Sequence, residues 1–228
     1  MKKFFRRAWR FTWRAAFWFI TVSVAWVLLY KWVNPPTTLL QLIQGKSHER
    51  SWVDIDEMSP ELPLAVIASE DQRFPEHFGF DTEAIASAIK YNKTHDRKLG
   101  GSTISQQCAK NVFLWPSRTW VRKGLEVWFT ALIEVMWSKE RIMEVYLNVI
   151  EMGTKTFGVE AASQKYFKRS AAKVTRNQAA LIAGCLPQPR KSNPGKPSAY
   201  LVKRGQQIER QMRLLGGQSY LPWGAVKD

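Results

Sequence analysis

The chain opens with a long apolar stretch. Residues 15–30 (AAFWFITVSVAWVLLY) carry no charge, and Trp32 and Val33 lengthen the stretch toward the about 20 residues that a bilayer core requires. The segment Asn34-Pro35-Pro36 then stops a helix. The pattern therefore predicts a transmembrane helix over residues 15–33.

The flanking charges predict how this helix is oriented. Residues 1–14 contain six basic side chains and no acidic one, so they are predicted to form a basic cytoplasmic tail, with the rest of the chain outside. A cleaved signal peptide is one alternative, but bulky residues continue to Val33 without an A-x-A-like cleavage site. A buried soluble helix is a weaker alternative, because the basic cluster would have no purpose in a core.

After a linker and membrane-proximal segment at residues 34–58, apolar positions recur at helical spacing. Capping residues predict where helices begin. These starts are Ser59-Pro60, Asp81, Ser102, Ser138 and Thr175, the last in a capping-box pattern with Gln178. A further helix is predicted over about residues 117–137, and the last one ends at Gly216-Gly217. Because no series of alternating strands occurs, residues 59–228 are predicted to form an all-α domain.

Charge and cysteine content narrow the function classes. The formal net charge is +15 with a pI near 10.0, which favours an anionic partner such as nucleic acid, acidic lipid or a phosphorylated substrate. The predicted topology removes the body from cytoplasmic nucleic acid. Cys108 and Cys185 lie in apolar helical patterns without zinc-site spacing, so we expect buried thiols. Whether they pair is left open.

Three polar segments are candidates for chemistry. Glu70 ends an apolar helix, where partial desolvation suits a carboxylate to acid–base catalysis. Gly100-Gly101 precede a helix start and let backbone N–H groups approach an anion, with Lys110 adding positive charge. Arg122-Lys123 with Glu126 form either a surface ion pair or a phosphate-binding group. Taken singly, each of the first two segments is better explained by a structural role. The Glu70 segment would be a solvated helix end with a polar turn, and the Gly100-Gly101 segment an ordinary loop with a polar helix start.

In their order along the chain, these segments resemble the peptidoglycan glycosyltransferases, which join the disaccharide units of lipid II into glycan strands. The strings are ASEDQRFPEHFGFD, GGSTISQQCAKNVF, RKGLE, KERIMEVYLN and FGVEAASQKYF, and the similarity continues through LIAGCLPQPRKSNP. The resemblance implies a lysozyme-like helical domain. It also implies attack of a sugar 4-hydroxyl on the anomeric carbon that bears a polyprenyl pyrophosphate, with inversion to a β-1,4 linkage.

The resemblance implies roles for individual residues. Glu70 corresponds to the general base, and Glu126 to a second glutamate near the donor and its pyrophosphate. Residues implied to bind substrate or pyrophosphate are Lys110, Arg122, Lys123, Ser102, Thr103, Gln106 and Gln107. Residues implied to shape the motifs are Asp71, Phe74, His77, Gly79, Asp81 and Asn148. A divalent cation, Mg²⁺ or Mn²⁺, is expected on the pyrophosphate without identified ligands, and no nucleotide or organic cofactor is expected.

The expected location is the bacterial inner (cytoplasmic) membrane, with a single pass and a periplasmic catalytic domain. Expected partners are lipid II, the growing glycan strand and membrane lipids; proteins of cell-wall synthesis or division are a further class, and nucleic acid is not expected. S-x-x-K occurs at residues 87–90 and 170–173, but K-T-G and S-D-N do not occur, so the chain is expected to be monofunctional.

Two alternatives to this function remain at the level of sequence. A lysozyme-like hydrolase or lytic transglycosylase would share the helical fold and a catalytic glutamate, but it would not need the cations at Lys110, Arg122 and Lys123. A non-enzymatic basic membrane protein would not need the motifs in this order. Four tryptophans, at positions 115, 120, 128 and 137, either dip into the membrane or pack in the core.

Overall fold

The computed structural model of the protein describes residues 2–44, 49–95 and 100–223, so the parts of the predicted segments at residues 1, 45–48, 96–99 and 224–228 lie outside it. Most of the described chain is helical, which confirms the all-α prediction. The helices are α1 (Lys2–Trp32), α2 (Leu39–Gln44), α3 (Glu61–Glu70), α4 (Thr82–Thr94), α5 (Ile104–Phe113), α6 (Trp120–Met136), α7 (Lys139–Val149), α8 (Val159–Phe167), α9 (Arg176–Cys185) and α10 (Ala199–Leu214).

A small three-stranded sheet accompanies the helices, and the sequence pattern did not predict it. Its strands are β1 (Glu49–Arg50), β2 (Glu151–Gly153) and β3 (Thr156–Phe157), in the order β1-β3-β2. β1 runs parallel to β3, and β2 runs antiparallel to it. Strands of two or three residues are too short to show an alternating pattern. The sheet ties the membrane-proximal segment to the loop that follows α7.

Most predicted helix starts are confirmed by their cap hydrogen bonds. The Asp81 carboxylate accepts from the backbone N–H of Ala84 at 2.8 Å, and the Ser138 hydroxyl accepts from that of Arg141 at 3.1 Å. Thr175 forms the predicted capping box at the start of α9. After α10, Gly216 takes a left-handed conformation with φ +97°, which suits glycine at a helix end.

The predicted cap at Ser102 is wrong. Thr103 is the capping residue of α5: its hydroxyl accepts from the Gln106 N–H at 3.2 Å, and Gln106 Oε1 accepts from the Thr103 N–H at 3.0 Å. Ser102 lies one residue outside the cap and is exposed. Both side chains could cap a helix, so tertiary contacts rather than local preference decide between them.

Two groups of helices build the core. α3 packs against α9 and α10, and α5 packs against α6 and α7. Fully buried apolar side chains, including Leu64, Ile104 and Leu147, join the two groups into one cluster. Cys108 and Cys185 are buried and do not form a disulfide. Burial raises the pKa of both thiols, that of Cys185 to about 12 and that of Cys108 further still. Neither thiol is therefore ionised at neutral pH.

Helix α1 is long and apolar enough to cross a bilayer, and only 11% of its most apolar window is buried within the protein. It begins at Lys2, so the basic residues from position 2 to position 14 are continuous with the apolar helix. Its second half packs on α6, and Val27 is fully buried there. The Arg141 guanidinium donates to the carbonyl of Tyr30 at 3.0 Å and to Asn34 Oδ1 at 2.9 Å. The anchor helix is thus attached to the domain by packing and hydrogen bonds.

The four tryptophans divide between the two environments that the sequence left open. Trp137 is buried and donates to the Val27 carbonyl at 2.9 Å. Trp128 is half-buried and donates to Ser23 Oγ at 3.1 Å. Trp115 and Trp120 are 41% and 91% exposed. Core packing therefore accounts for one tryptophan and contact with α1 for another, while two remain on the surface.

Candidate active site

The Glu70 carboxylate, at the end of α3, is held by two side chains. Glu70 Oε2 accepts from Gln107 Nε2 at 3.1 Å, and Oε1 accepts from Ser69 Oγ at 3.3 Å. Gln107 in turn accepts at Oε1 from the Tyr146 hydroxyl at 3.1 Å. Burial, reinforced by the nearby Glu70 charge, raises the pKa of Tyr146 well above its usual range, so the phenol stays protonated and acts as the donor. This chain of bonds fixes the Gln107 amide so that its NH₂ faces the carboxylate.

The loop after Glu70 is fixed by Asp71, which is buried. Asp71 Oδ2 accepts from the backbone N–H of Ile104 at 2.9 Å, while His77 Nε2 lies 2.9 and 3.0 Å from the two carboxylate oxygens. Phe74 is fully buried beneath this loop, with Lys139 Nζ 4.5 Å from its ring centroid. These contacts join the end of α3 to the start of α5.

Gly79 closes the same loop with φ +79°. A Cβ at this position would lie 2.9 Å from both Glu134 Cγ and Thr130 Cγ2, so a side chain has neither the space nor a relaxed backbone there. The Gly79 carbonyl accepts from Thr103 Oγ1 at 2.7 Å. Together with the Asp81 cap, this bond brings the two predicted motifs into contact.

Asn148 lies away from these groups and serves the fold. Fully buried, its side chain donates to the Val53 carbonyl at 2.8 Å and accepts from the Val53 N–H at 3.0 Å. It thereby holds the membrane-proximal segment against α7. Gln106 is likewise buried, with its side-chain oxygen in the α5 capping box, although the resemblance implied that it contacts substrate.

A cavity of about 360 Å³ opens beside Glu70. Its walls come from the end of α3, the start of α4 and the loop before α5, and they include Glu70, Arg73, Gly101, Ser102 and Thr103. Gly101 lets the backbone of this loop approach α4 closely, since a Cβ at this position would lie 3.3 Å from Ile85 Cα. Ser102 thus faces the same space as the Glu70 carboxylate.

A second cavity, of about 490 Å³, is bordered by Lys110, Trp115, Arg118 and Arg122. Burial lowers the pKa of Lys110; the charges of Arg122 and Lys123 lower it further, whereas those of Glu126 and Glu70 oppose the shift. Lys110 makes no hydrogen bond or ion pair with any residue in the described ranges. A partly buried ammonium without a carboxylate partner favours an anionic ligand in this cavity.

Glu126 lies on α6 and is only 3% exposed. Its Oε2 accepts from Arg122 Nη1 at 2.6 Å, and its Oε1 accepts from Lys123 Nζ. The surface alternative for this ion pair is therefore wrong for Glu126 and Arg122, which are both largely buried. Arg122 Nε is buried and has no partner within the described part of the chain.

Helix α5 connects the two cavities, because residues at i, i+4 and i+7 share one helix face. Thr103 borders the first cavity, Gln107 touches Glu70, and Lys110 borders the second. The structure thus places most of the predicted catalytic and pyrophosphate-binding residues along one cleft beside this face of α5, with the exception of Gln106. Tyr146 was not predicted to contribute to this site. The signal in the sequence is a phenol within an apolar helix, since a buried hydroxyl needs a hydrogen-bond partner.

The arrangement is typical of an enzyme that acts on an anionic substrate at a membrane. A hydrogen-bonded carboxylate lies at one end of a helical cleft and largely buried cations lie at the other. A helix long and apolar enough to cross a bilayer is packed on the same domain.

Comparisons with known proteins agree with this class. The Transglycosylase family model matches residues 37–213. A relative from Bdellovibrio bacteriovorus (strain HD100), named biosynthetic peptidoglycan transglycosylase, is 54% identical over 204 residues, covering 86% of this chain and 82% of the relative. A relative of the same name from Pseudomonas entomophila (strain L48) is 48% identical over 218 residues, covering 91% and 92%. The chain belongs to the transglycosylase family, and the resemblance found in the sequence is confirmed.

Proposed function

We propose that the protein polymerises peptidoglycan glycan strands from lipid II, forming β-1,4 linkages with inversion and releasing polyprenyl pyrophosphate. Family membership and the names of its relatives support this reaction. The structural observation that carries it is the cleft along α5, with Glu70 held by Gln107 at one end and the cations at Lys110 and Arg122 at the other.

Glu70 is the proposed general base. The acceptor 4-hydroxyl would bind in the cavity beside this carboxylate and lose its proton to it as the oxygen bonds to the anomeric carbon. The bond between that carbon and the pyrophosphate oxygen breaks, and the electron pair leaves with the diphosphate. Lys110 and Arg122 would stabilise the charge that develops on the leaving group.

Glu126 has a different proposed role. Both of its oxygens are engaged by Arg122 and Lys123, so neither is free to accept a proton from the acceptor. We therefore assign Glu126 to orienting these two cations around the diphosphate, with Glu70 alone acting as the base.

A divalent cation is proposed to bind through the diphosphate. Within the described ranges, no group of three or more His, Cys, Asp or Glu side chains is arranged to hold a metal. Mg²⁺ at phosphate sites commonly takes most of its ligands from phosphate oxygens and water, with one or two carboxylates. The residues present fit an ion that arrives with the substrate, and its role would be to neutralise diphosphate charge.

The proposed location is the inner membrane, with the N-terminus cytoplasmic and the catalytic domain periplasmic. The six basic residues ahead of the apolar stretch support this orientation. The second cavity is lined by Arg122 of α6, and α6 packs on α1, which supports entry of a membrane-bound substrate into this cavity. Lipid II, the growing strand and membrane lipids are the proposed partners.

The test is polymerisation of labelled lipid II by the purified full-length chain, with a folded Glu70→Gln variant alongside. We expect polymer from the wild type and none from the variant. Equal polymer from both would overturn the assignment of the base. Absence of polymer from the wild type, with detergent and divalent ions varied, together with shortening of finished glycan strands, would identify a hydrolase instead.

A further inference from the structure

A groove adjoins the Glu70 cavity and runs along α10. It consists of two cavities of about 330 and 740 Å³ that share Arg204 and Gln207. The smaller one also shares Gln72 with the cavity beside Glu70. We call this surface the α10 groove and define it by Lys191, Tyr200, Lys203, Arg204, Gln207 and Arg210.

The α10 groove is positively charged and lacks internal compensation. Its lining within the described ranges includes four basic side chains and no acidic one. Lys191, Lys203 and Arg210 form no ion pair with any residue in ranges 2–44, 49–95 and 100–223. By contrast, the nearby Arg190 is paired with Glu151 at 2.9 Å. Clustered cations in a concave surface raise the local concentration of anions.

The shape and composition of the groove indicate which kind of anion. Tyr200 borders the larger cavity and is 68% exposed, so it presents a flat apolar ring together with a hydroxyl. Arg204 and Arg210 offer planar forks of N–H donors, which match the geometry of a carboxylate. Cations spaced along two joined cavities suit an extended chain that carries several carboxylates better than a single small ion.

The position of the groove argues against a lipid headgroup as its ligand. Helix α10 packs against α9 and α3, whereas the anchor helix α1 packs against α6. The catalytic residues lie where the first of these groups meets the second, because Glu70 ends α3 whereas Lys110 and Arg122 lie on α5 and α6. A ligand in the α10 groove would therefore approach from the side of the domain away from the anchor.

The groove also begins close to the proposed base. Arg204 Nη2 lies 3.4 Å from both the carbonyl oxygen and Oγ of Ser69. Ser69 Oγ in turn donates to Glu70 Oε1 at 3.3 Å. An extended ligand whose reacting hydroxyl lies at Glu70 would reach the α10 groove by passing over Gln72.

We propose that the α10 groove binds the carboxylate-bearing portion of the glycan–peptide chain on the acceptor side of Glu70. This inference rests on the proposed function. Binding there would hold the acceptor through contacts remote from the reacting bond, so it would act mainly on acceptor affinity rather than on the chemical step.

The test compares a charge-reversed groove variant, Lys203→Glu with Arg210→Glu, with a matched control, Lys173→Glu with Arg213→Glu. The control residues are exposed and do not line the groove, so both variants change the net charge equally. The probe is a dye-labelled, soluble, uncross-linked glycan strand with its peptides, measured by fluorescence anisotropy with the full-length chain in detergent. A second probe is the same strand after amidation of its carboxylates.

We expect the groove variant to bind the strand about tenfold more weakly and to show a similar rise in KM for lipid II, with kcat within about twofold of wild type. The control should match wild type, and the amidated strand should bind wild type as weakly as the native strand binds the groove variant. Equal binding by wild type and groove variant, equal weakening in the control, or insensitivity to amidation would overturn the proposal. If one of these outcomes occurs but the wild type polymerises lipid II, the groove proposal fails and the proposed function stands. If the wild type makes no polymer, the proposed function fails, regardless of the binding results.

Discussion

Gln107 donates a hydrogen bond to Glu70 across the junction of α5 and α3, with 3.1 Å between Nε2 and Oε2. Tyr146 donates to the other end of the same amide. A glutamate at a helix end has several rotamers available, so this bond selects the one in which the carboxylate borders the acceptor cavity. The geometry of the proposed base thus depends on two residues that do not themselves react.

Gln107→Met is therefore expected to lower kcat by about 10- to 100-fold, because the side chain keeps its length but cannot hold the carboxylate. KM for lipid II should change less. Steady-state polymerisation and a thermal melt provide the measurement. Tyr146→Phe is the comparison of intermediate severity. Gln107 can still donate to Glu70 in this variant, but its side-chain amide is no longer fixed by the Tyr146 hydroxyl, so kcat should fall less. An unchanged kcat in a folded Gln107→Met variant would contradict a positioning role.

Local sequence signals were sufficient where one residue determines one feature. Asp81, Ser138 and Thr175 each cap a helix as predicted. Local signals were insufficient at Ser102-Thr103, where both residues can cap a helix. Thr103 prevails because its hydroxyl also donates to the Gly79 carbonyl, 24 positions away. Such a long-range bond cannot be inferred from neighbouring residues.

The same limit applies to the candidate site. Glu70 and the Arg122–Glu126 segment were identified from motif order, but the burial of Glu126 was not, because an (i, i+4) pair on a helix has the same spacing at the surface and in a cleft. The packing of Trp128 and Trp137 on α1 was also not predictable. Contacts between an anchor and a domain depend on the folded arrangement of helices far apart in the sequence.

Lys110 should give the activity an alkaline limit. Burial lowers the pKa of Lys110 below that of a solvated lysine, so the ammonium that would bind the diphosphate loses its proton at a lower pH than a solvated lysine would. Activity is expected to fall as the pH rises through this lowered pKa. Lys110→Arg should move that limb of the pH–rate profile upward, because a guanidinium stays protonated. If the alkaline limb stayed at the same pH in Lys110→Arg, the loss of activity would be due to the titration of another group.

The same burial has the opposite effect on stability. Because the pKa of Lys110 is lower in the folded than in the unfolded chain, the unfolded chain binds more protons between the two values, and stability rises with pH across that window. Below it, the folded state carries the cost of a partly buried charge. Lys110→Met is thus expected to raise the Tm slightly at neutral pH while lowering kcat by on the order of 100-fold. A lower Tm would contradict a destabilising ammonium.

Glu126→Gln tests whether this residue orients cations. The amide has one acceptor oxygen in place of two and carries no negative charge. It would therefore not hold both Arg122 and Lys123, and these two cations would repel each other and move. We expect a loss of on the order of 100-fold in kcat/KM for lipid II. Arg122→Lys provides the comparison, since it keeps the charge but loses the fork that reaches Glu126 Oε2. Near-normal activity in Glu126→Gln would exclude the proposed role.

Arg141 attaches the anchor helix to the domain. Its guanidinium donates to the carbonyl of Tyr30, in the last turn of α1, and to that of Val33, which follows the helix. Backbone acceptors at a helix end lack helical partners, and the helix dipole favours a cation there. Arg141→Gln is expected to lower the Tm of the full-length chain in detergent by about 3–6 °C. Arg169→Gln, on an exposed loop, is the control. An equal Tm in both variants would show that packing alone holds α1.

Trp115 and Trp120 are expected to contact the bilayer. They are 41% and 91% exposed, Trp115 borders the second cavity, and α6, which begins at Trp120, packs against the anchor. Exposed tryptophans beside a transmembrane helix suit the membrane interface. The measurement is quenching of tryptophan emission by brominated lipids in nanodiscs that contain the full-length chain, because removal of α1 would expose the buried contacts at Val27.

Trp115→Ser with Trp120→Ser should lower the quenched fraction of the emission and raise KM for lipid II, since the lipid-facing edge of the second cavity would lose its contact with the bilayer. Trp223→Ser is the control, because Trp223 packs partly buried against the core. Its removal should leave the quenched emission unchanged. If the emission lost in the double variant were only emission that brominated lipid does not quench, Trp115 and Trp120 would face water. The lipid-linked substrate would then have to enter the cleft at another edge.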